Sequence, residues 1–223
     1  MSEPTGHPRN PAHASSDGHA FEISGGHPAL DLANTVSRRS DPGDNREHLV
    51  DYGRLVTWSR QAGLLTAREA DRLREVGEER PRAAVAALRR AVAAREAIFS
   101  IFSAISRGDR PPSAALDTLN GALPSAFGAL RVAPDQGGFG WRFEHAPDDL
   151  APMLAPILRS AAELLTSDDR DRVRECGSDT CFWLFLDRSK NGTRRWCDMK
   201  VCGNRAKARR HYQREKKARR GQR

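Results

Sequence analysis

Four cysteines, with no others in 223 residues, fall within 27 positions near the end of the chain: Cys176, Cys181, Cys197 and Cys202. The pattern is C-x4-C, fifteen residues, then C-x4-C. Two thiolate pairs, each brought in by a tight turn and joined by a loop that lets them converge, are what a tetrahedral structural zinc site needs. Four sulfurs leave no open coordination position, so one ion per chain is expected in a structural role. Gly177 and Gly203 sit beside ligands, where permissive backbone is expected. The surrounding segment also needs a staple. Its apolar side chains between 176 and 223 are Phe182, Trp183, Leu184, Phe185, Leu186, Trp196, Met199, Val201 and Tyr212, too few for an independent core. A bound zinc supplies on the order of 10 kcal/mol to such a module. Buried ordinary thiols compete with this reading but do not account for the pairing. A disulfide is opposed by the absence of an export signal, from which a cytoplasmic setting is expected. A thiol redox switch on the same cysteines stays open.

Phe182 to Leu186 reads as a buried strand, Asp187 to Gly192 as a turn, and Thr193 to Trp196 as the returning strand. Cys202-Gly203-Asn204-Arg205 then opens a helix to about Arg219. Knuckle, hairpin and a helix starting at the last ligand make a treble-clef-like finger. Charge now matters. Residues 176–223 hold 15 Lys/Arg against 4 Asp/Glu, a net of +11; the whole chain carries +8, which leaves −3 for the rest. A mildly acidic body with a basic end implies a polyanionic partner for that end alone. On the helix, Arg205, Lys207, Arg209, Arg210 and Arg214 are candidate nucleic-acid contacts, with Arg205 and Arg209, one turn apart, as base readers. Lys190, Arg194 and Arg195 from the hairpin are candidate phosphate contacts. Double-stranded DNA is the expected partner. RNA is the rival, since Trp183, Trp196 and Tyr212 offer stacking surfaces, and a merely solvated helix is the bland alternative.

Upstream, residues 1–20 read as a disordered tail containing His7, His13 and His19. A helical domain is expected over 21–170. Helical spacing marks Pro28 to Val36, His48 to Ala62, and a helix to about Glu79 opened by the capping box of Thr66 and Glu69. The alanine-rich stretch Pro81 to Ser106 is the longest helix, with Val85, Leu88 and Val92 marking one face and Ile98, Ile101, Phe102 and Ile105 continuing it. Residues 107–112 break it, and a short helix follows from Ser113 to Asn120. Leu130 to Ala133 and Phe139 to Glu144 alternate around Asp135-Gln136-Gly137-Gly138, a β-hairpin signal. Asp148 or Asp149 caps a final amphipathic helix whose Pro156 should bend it or delay its regular start, and 166–175 reads as a charged connector. The fold class is therefore mainly α with a small β-hairpin, a helical domain followed over 171–223 by the finger. No run approaches a membrane span.

These residues carry a resemblance. Cys176 to Arg210, with Phe182 to Ser189, Arg194-Arg195-Trp196-Cys197 and Cys202-Gly203-Asn204-Arg205-Ala206-Lys207, resembles the CGNR zinc-finger family over about 45 residues. Gly25-Gly26, Leu30-Asp31-Leu32-Ala33-Asn34-Thr35-Val36, Leu55 to Trp58 and Ala62 to Leu65 resemble the ABATE domain that precedes this finger. The resemblance implies a two-domain, stress-induced transcription regulator; composition and spacing alone reach zinc and nucleic acid. In such a regulator the helical domain is expected to sense an effector or pair protomers into a homodimer. Asp31, Asn34, Thr35 and Arg38 are candidates for a polar ligand pocket, against the alternative of a local helix-end network, and Trp58 reads as core. An enzyme is not expected, because the upstream region offers no nucleophile–base pair, phosphate loop or open metal site.

Overall fold

The computed structural model describes residues 20–39, 43, 45–135, 137–146 and 148–220. The expected N-terminal tail and its three histidines lie outside the described residues. The chain runs α1 (Pro28–Ala33), β1 (Val36–Ser37), β2 (Arg46–Glu47), α2 (Tyr52–Gln61), α3 (Ala67–Glu79), α4 (Pro81–Ser106), α5 (Ser113–Gly128), β3 (Leu130–Asp135), β4 (Gly138–Phe143), α6 (Leu154–Thr166), a 3-10 turn (Asp168–Arg172), β5 (Val173–Glu175), β6 (Leu184–Leu186), a π turn (Met199–Gly203) and α7 (Asn204–Arg220). Its strands form antiparallel pairs, β1–β2, β3–β4 and β5–β6. Among the described residues no helix is long and apolar enough to cross a membrane.

Local chemistry sets most boundaries. Asp51 caps α2 by accepting the Arg54 N–H at 2.7 Å. Thr66 and Glu69 form the expected reciprocal box at the start of α3, satisfying two otherwise orphaned donors. Pro81 opens α4, where its missing N–H costs nothing. α5 is longer than its sequence suggests. It runs through Pro124 to Gly128, because Pro124 and Asn120 are both exposed, so water can take the carbonyl that the proline leaves unpaired. Pro156 delays α6 rather than bending it. The helix begins at Leu154, which puts the proline in the first turn, where no intrahelical donor is required.

α4 is the axis of the helical domain, packed by α1, α2, α3 and α5. Its first half buries alanines, Ala84, Ala87, Ala91 and Ala94, so that neighbouring helices approach closely; of the face read from periodicity, Val85 is 46% exposed, while Leu88 packs partly buried against the core. The second half buries Ile98, Ile101 and Phe102 as expected. Leu30, Leu32, Leu55, Trp58, Leu73, Met153 and Ile157 complete this core. The core also takes in Val173, Leu184 and Leu186 from β5 and β6. The segment read as a charged connector is thus partly a strand. β5 pairs with β6 in the register Val173↔Leu186 and Glu175↔Leu184, and Thr193 to Trp196 does not return as a strand.

Candidate metal centre and nucleic-acid interface

β6 alternates its two faces. Leu184 and Leu186 enter the helical core, while Phe185 between them joins Trp183 and the cysteines in a separate buried cluster. Period-two alternation therefore makes this three-residue strand a partition between the two modules. Cys176 and Cys181 sit in the turn that joins β5 to β6. Cys197 precedes the π turn and Cys202 lies within it, one residue before Gly203 and the start of α7. Asp198 holds that turn by accepting the Val201 N–H at 2.9 Å.

The four sulfurs lie within 4.8 Å of one another. Cys181 Sγ and Cys197 Sγ are 3.5 Å apart, and Cys197 Sγ and Cys202 Sγ 3.7 Å apart. A tetrahedron with Zn–S bonds of about 2.3 Å has sulfur–sulfur edges of about 3.8 Å, so the donor set fits one zinc ion. The protonation chemistry agrees. In the metal-free cluster, thiol donors Cys181 and Cys197 surround Cys176 and hold its pKa down at about 2. The same bonds to Cys176 push Cys181 and Cys197 up, and burial pushes Cys202 up. Four thiolates this close repel each other until a divalent cation replaces the protons.

The backbone adjustment at the knuckle differs from expectation. Neither Gly177 nor Gly203 is left-handed; a side chain at either would instead crowd its neighbours, the Arg195 carbonyl at 3.3 Å or the Trp196 ring at 3.3 Å. Phe182, directly after Cys181, takes the left-handed turn with φ 59°.

The candidate nucleic-acid contacts separate into two groups. Arg194 is committed internally: it stacks on the Phe185 ring at 4.4 Å and donates to the backbone carbonyls of Trp196 and Cys197. Arg195 lies over Trp196 at 5.6 Å. Arg209 pairs with Asp179 of the first knuckle, and Arg205, on the same side of α7, lines a cleft facing the helical domain. Lys207, Arg210 and Arg214 follow at i, i+3 and i+7 and are exposed, so they form one stripe on the opposite side. Lys190 is exposed in the turn that follows β6. Trp183 is buried and donates its indole N–H to the Val36 carbonyl at 2.9 Å, and Trp196 packs on the metal cluster.

Three of the four candidate pocket residues have structural tasks. Buried Asp31 accepts the Gly25 N–H at 2.7 Å, and burial pushes its pKa up to about 7. A Cβ at Gly25 would stand 3.0 Å from both Asp31 Oδ1 and Leu30 Cβ, which explains the glycine. Asn34 reaches across the partition. Its amide donates to the Leu184 carbonyl at 2.8 Å, and its Oδ1 accepts the Leu184 N–H at 2.8 Å. Gly25 extends this edge by accepting the Leu186 N–H at 2.8 Å. Thr35 donates to the Leu32 carbonyl and receives Arg95, itself a buried bidentate donor to Glu47. Arg38 has a left-handed backbone, φ 58°. All four line the cleft shared with Arg205. Sequence reasoning missed the clamp on β6, since a polar residue in a helix-end motif does not reveal a partner 150 positions away.

Residues 26–168 match the model of the ABATE family, described as "Putative stress-induced transcription regulator". Residues 172–215 match the model of the CGNR zinc finger. No curated protein matches the chain.

Proposed function

The chain belongs to the ABATE family and ends in a CGNR zinc finger, and on that premise we propose that it is a zinc-dependent, DNA-binding transcription regulator responsive to an effector or to stress. The observation that carries this reading is the exposed stripe of Lys207, Arg210 and Arg214 on a helix whose first turn is anchored by the metal ligand Cys202. A long cationic helix repels itself in isolation; phosphates relieve that repulsion, and the metal fixes its direction. Arg209, paired with Asp179, serves to steady the helix rather than to read bases. Duplex DNA is favoured over single-stranded RNA because the tryptophans are taken up by packing, leaving Tyr212 as the exposed aromatic of the module.

Fluorescence anisotropy with duplex DNA and structured RNA at one salt concentration tests this. Zinc-loaded protein is expected to prefer the duplex. The triple variant Lys207→Gln, Arg210→Gln, Arg214→Gln should keep its zinc and lose about 2–3 from the log–log salt slope, at about 0.9 per phosphate contact. Preference for RNA, or an unaltered slope, refutes the reading.

A further inference from the structure

We propose that the cleft between the helical domain and the metal module binds a small organic anion carrying a phosphate or carboxylate group, and that α7 senses its occupancy through Arg205. The cleft measures about 660 Å³, within the size range of small-molecule sites. One wall is Asp31, Asn34, Thr35 and Trp58; the other is Cys181, Trp183, Cys197, Cys202 and Arg205. A ligand seated there touches both modules.

The charge of the lining selects an anion. Arg38, Arg46, Arg54 and Arg205 face it. Of its three acids, Asp31 is buried and accepts the Gly25 N–H, and half-buried Asp198 is occupied in capping the Val201 N–H, so the four arginines outnumber the acids. Arg46 and Arg205 form no ion pair among the described residues. His48, hydrogen-bonded to Ser37 at 2.7 Å, has its pKa lowered, chiefly by burial, with Arg54, Arg46 and Arg95 adding to the effect against Glu47. It offers a neutral hydrogen-bonding ring beside the cations. Both walls also carry backbone strain. Arg38 on one side and Phe182, next to Cys181 and Trp183, on the other are the non-glycine residues with left-handed φ among the described residues. Such conformations cost on the order of 1 kcal/mol and collect where geometry serves binding.

Transmission is short. Cys202 and Arg205 both contact the cleft, and Arg205 lies in the first turn of α7, so an anion on Arg205 acts on the helix that carries the phosphate stripe. This second half rests on the DNA-binding reading; the first half does not.

The test uses full-length, zinc-loaded protein with AMP and succinate as probes, and sodium chloride at matched ionic strength as control. One of the two anions is expected to raise the melting temperature saturably, by about 3–5 °C at tenfold excess over its Kd. AMP alone identifies phosphate recognition, and succinate alone carboxylate recognition. Arg46→Gln with Arg205→Gln, both exposed and so compatible with folding, should abolish the shift; the α7 stripe variant should retain it. Absence of a shift with either anion in the millimolar range overturns the proposal, as does a shift that survives in the cleft variant and vanishes in the stripe variant. The effective probe should then change duplex affinity by the factor by which duplex changes probe affinity; an unchanged duplex Kd overturns the sensing half. Because the melting assay contains no nucleic acid, it stands or falls separately from DNA binding.

Discussion

Replacing Asn34 by alanine removes both hydrogen bonds that join α1 to β6, each 2.8 Å long and each made to the backbone of fully buried Leu184. Leu184 stands opposite Glu175 in a non-hydrogen-bonded register, flanked by the Cys176 N–H to Trp183 carbonyl bond, so its N–H and C=O have no second partner among the described residues, and a buried unpaired group costs about 1–3 kcal/mol. Two such groups put the expected loss at about 3 kcal/mol, a large share of the roughly 5–15 kcal/mol that holds a typical domain together. With a urea slope of about 2–3 kcal/mol/M, the midpoint should fall by about 1 M. Asn34→Asp sharpens the argument. It keeps an acceptor for the Leu184 N–H but sets a carboxylate oxygen against the Leu184 carbonyl, so it should be at least as damaging despite its near-identical shape. Circular dichroism with urea titration reads the midpoint, hydrogen exchange of the Leu184 amide reads the local opening, and zinc content should stay at one ion per chain, since the ligands lie on the other face of β6. A midpoint change below about 0.2 M, or an unchanged exchange rate at Leu184, would show that the side-chain amide does not carry the junction.

Further outcomes follow from the same geometry. Zinc affinity should weaken on acidification from neutral pH by more than tenfold per pH unit, because the ion displaces more than one proton from Cys181, Cys197 and Cys202, whose pKa values are raised in the metal-free cluster; a colorimetric chelator assay giving a flat profile contradicts this. Chelation should release α7 and the knuckles while the helical core persists, seen as loss of exchange protection confined to the turn between β5 and β6 and to residues after β6. Asp31, at about 7 in the fold against 3.8 for the free group, binds its proton more tightly when folded; its destabilising contribution is absent below pH 3.8, grows above it and is complete above about 7. Asp31→Asn, which keeps an acceptor for Gly25, should therefore gain stability relative to the parent at pH 8 compared with pH 5, by a few kcal/mol, and a pH-independent difference in urea midpoints rules the account out.

The metal site was legible because zinc ligation is local chemistry: two short cysteine spacings state which atoms converge, and nothing distant can alter them. The same holds for the Thr66–Glu69 box, the Pro81 start of α4 and the β3–β4 hairpin, all set by interactions within a few residues. Misread elements were those whose environment comes from elsewhere in the chain. Periodicity could not tell that α4 turns alanines rather than Val85 to its neighbours, because close helix approach is a property of both helices. Nor could it show that α5 passes Pro124 on a wet face. Only the tertiary structure decided that β6 belongs to two cores at once, that Arg205 faces the helical domain while Lys207, Arg210 and Arg214 face outward, and that Asn34 completes a strand edge. Each of these depends on which groups must be paired once water is removed, and burial is settled by the packed whole rather than by neighbours along the chain.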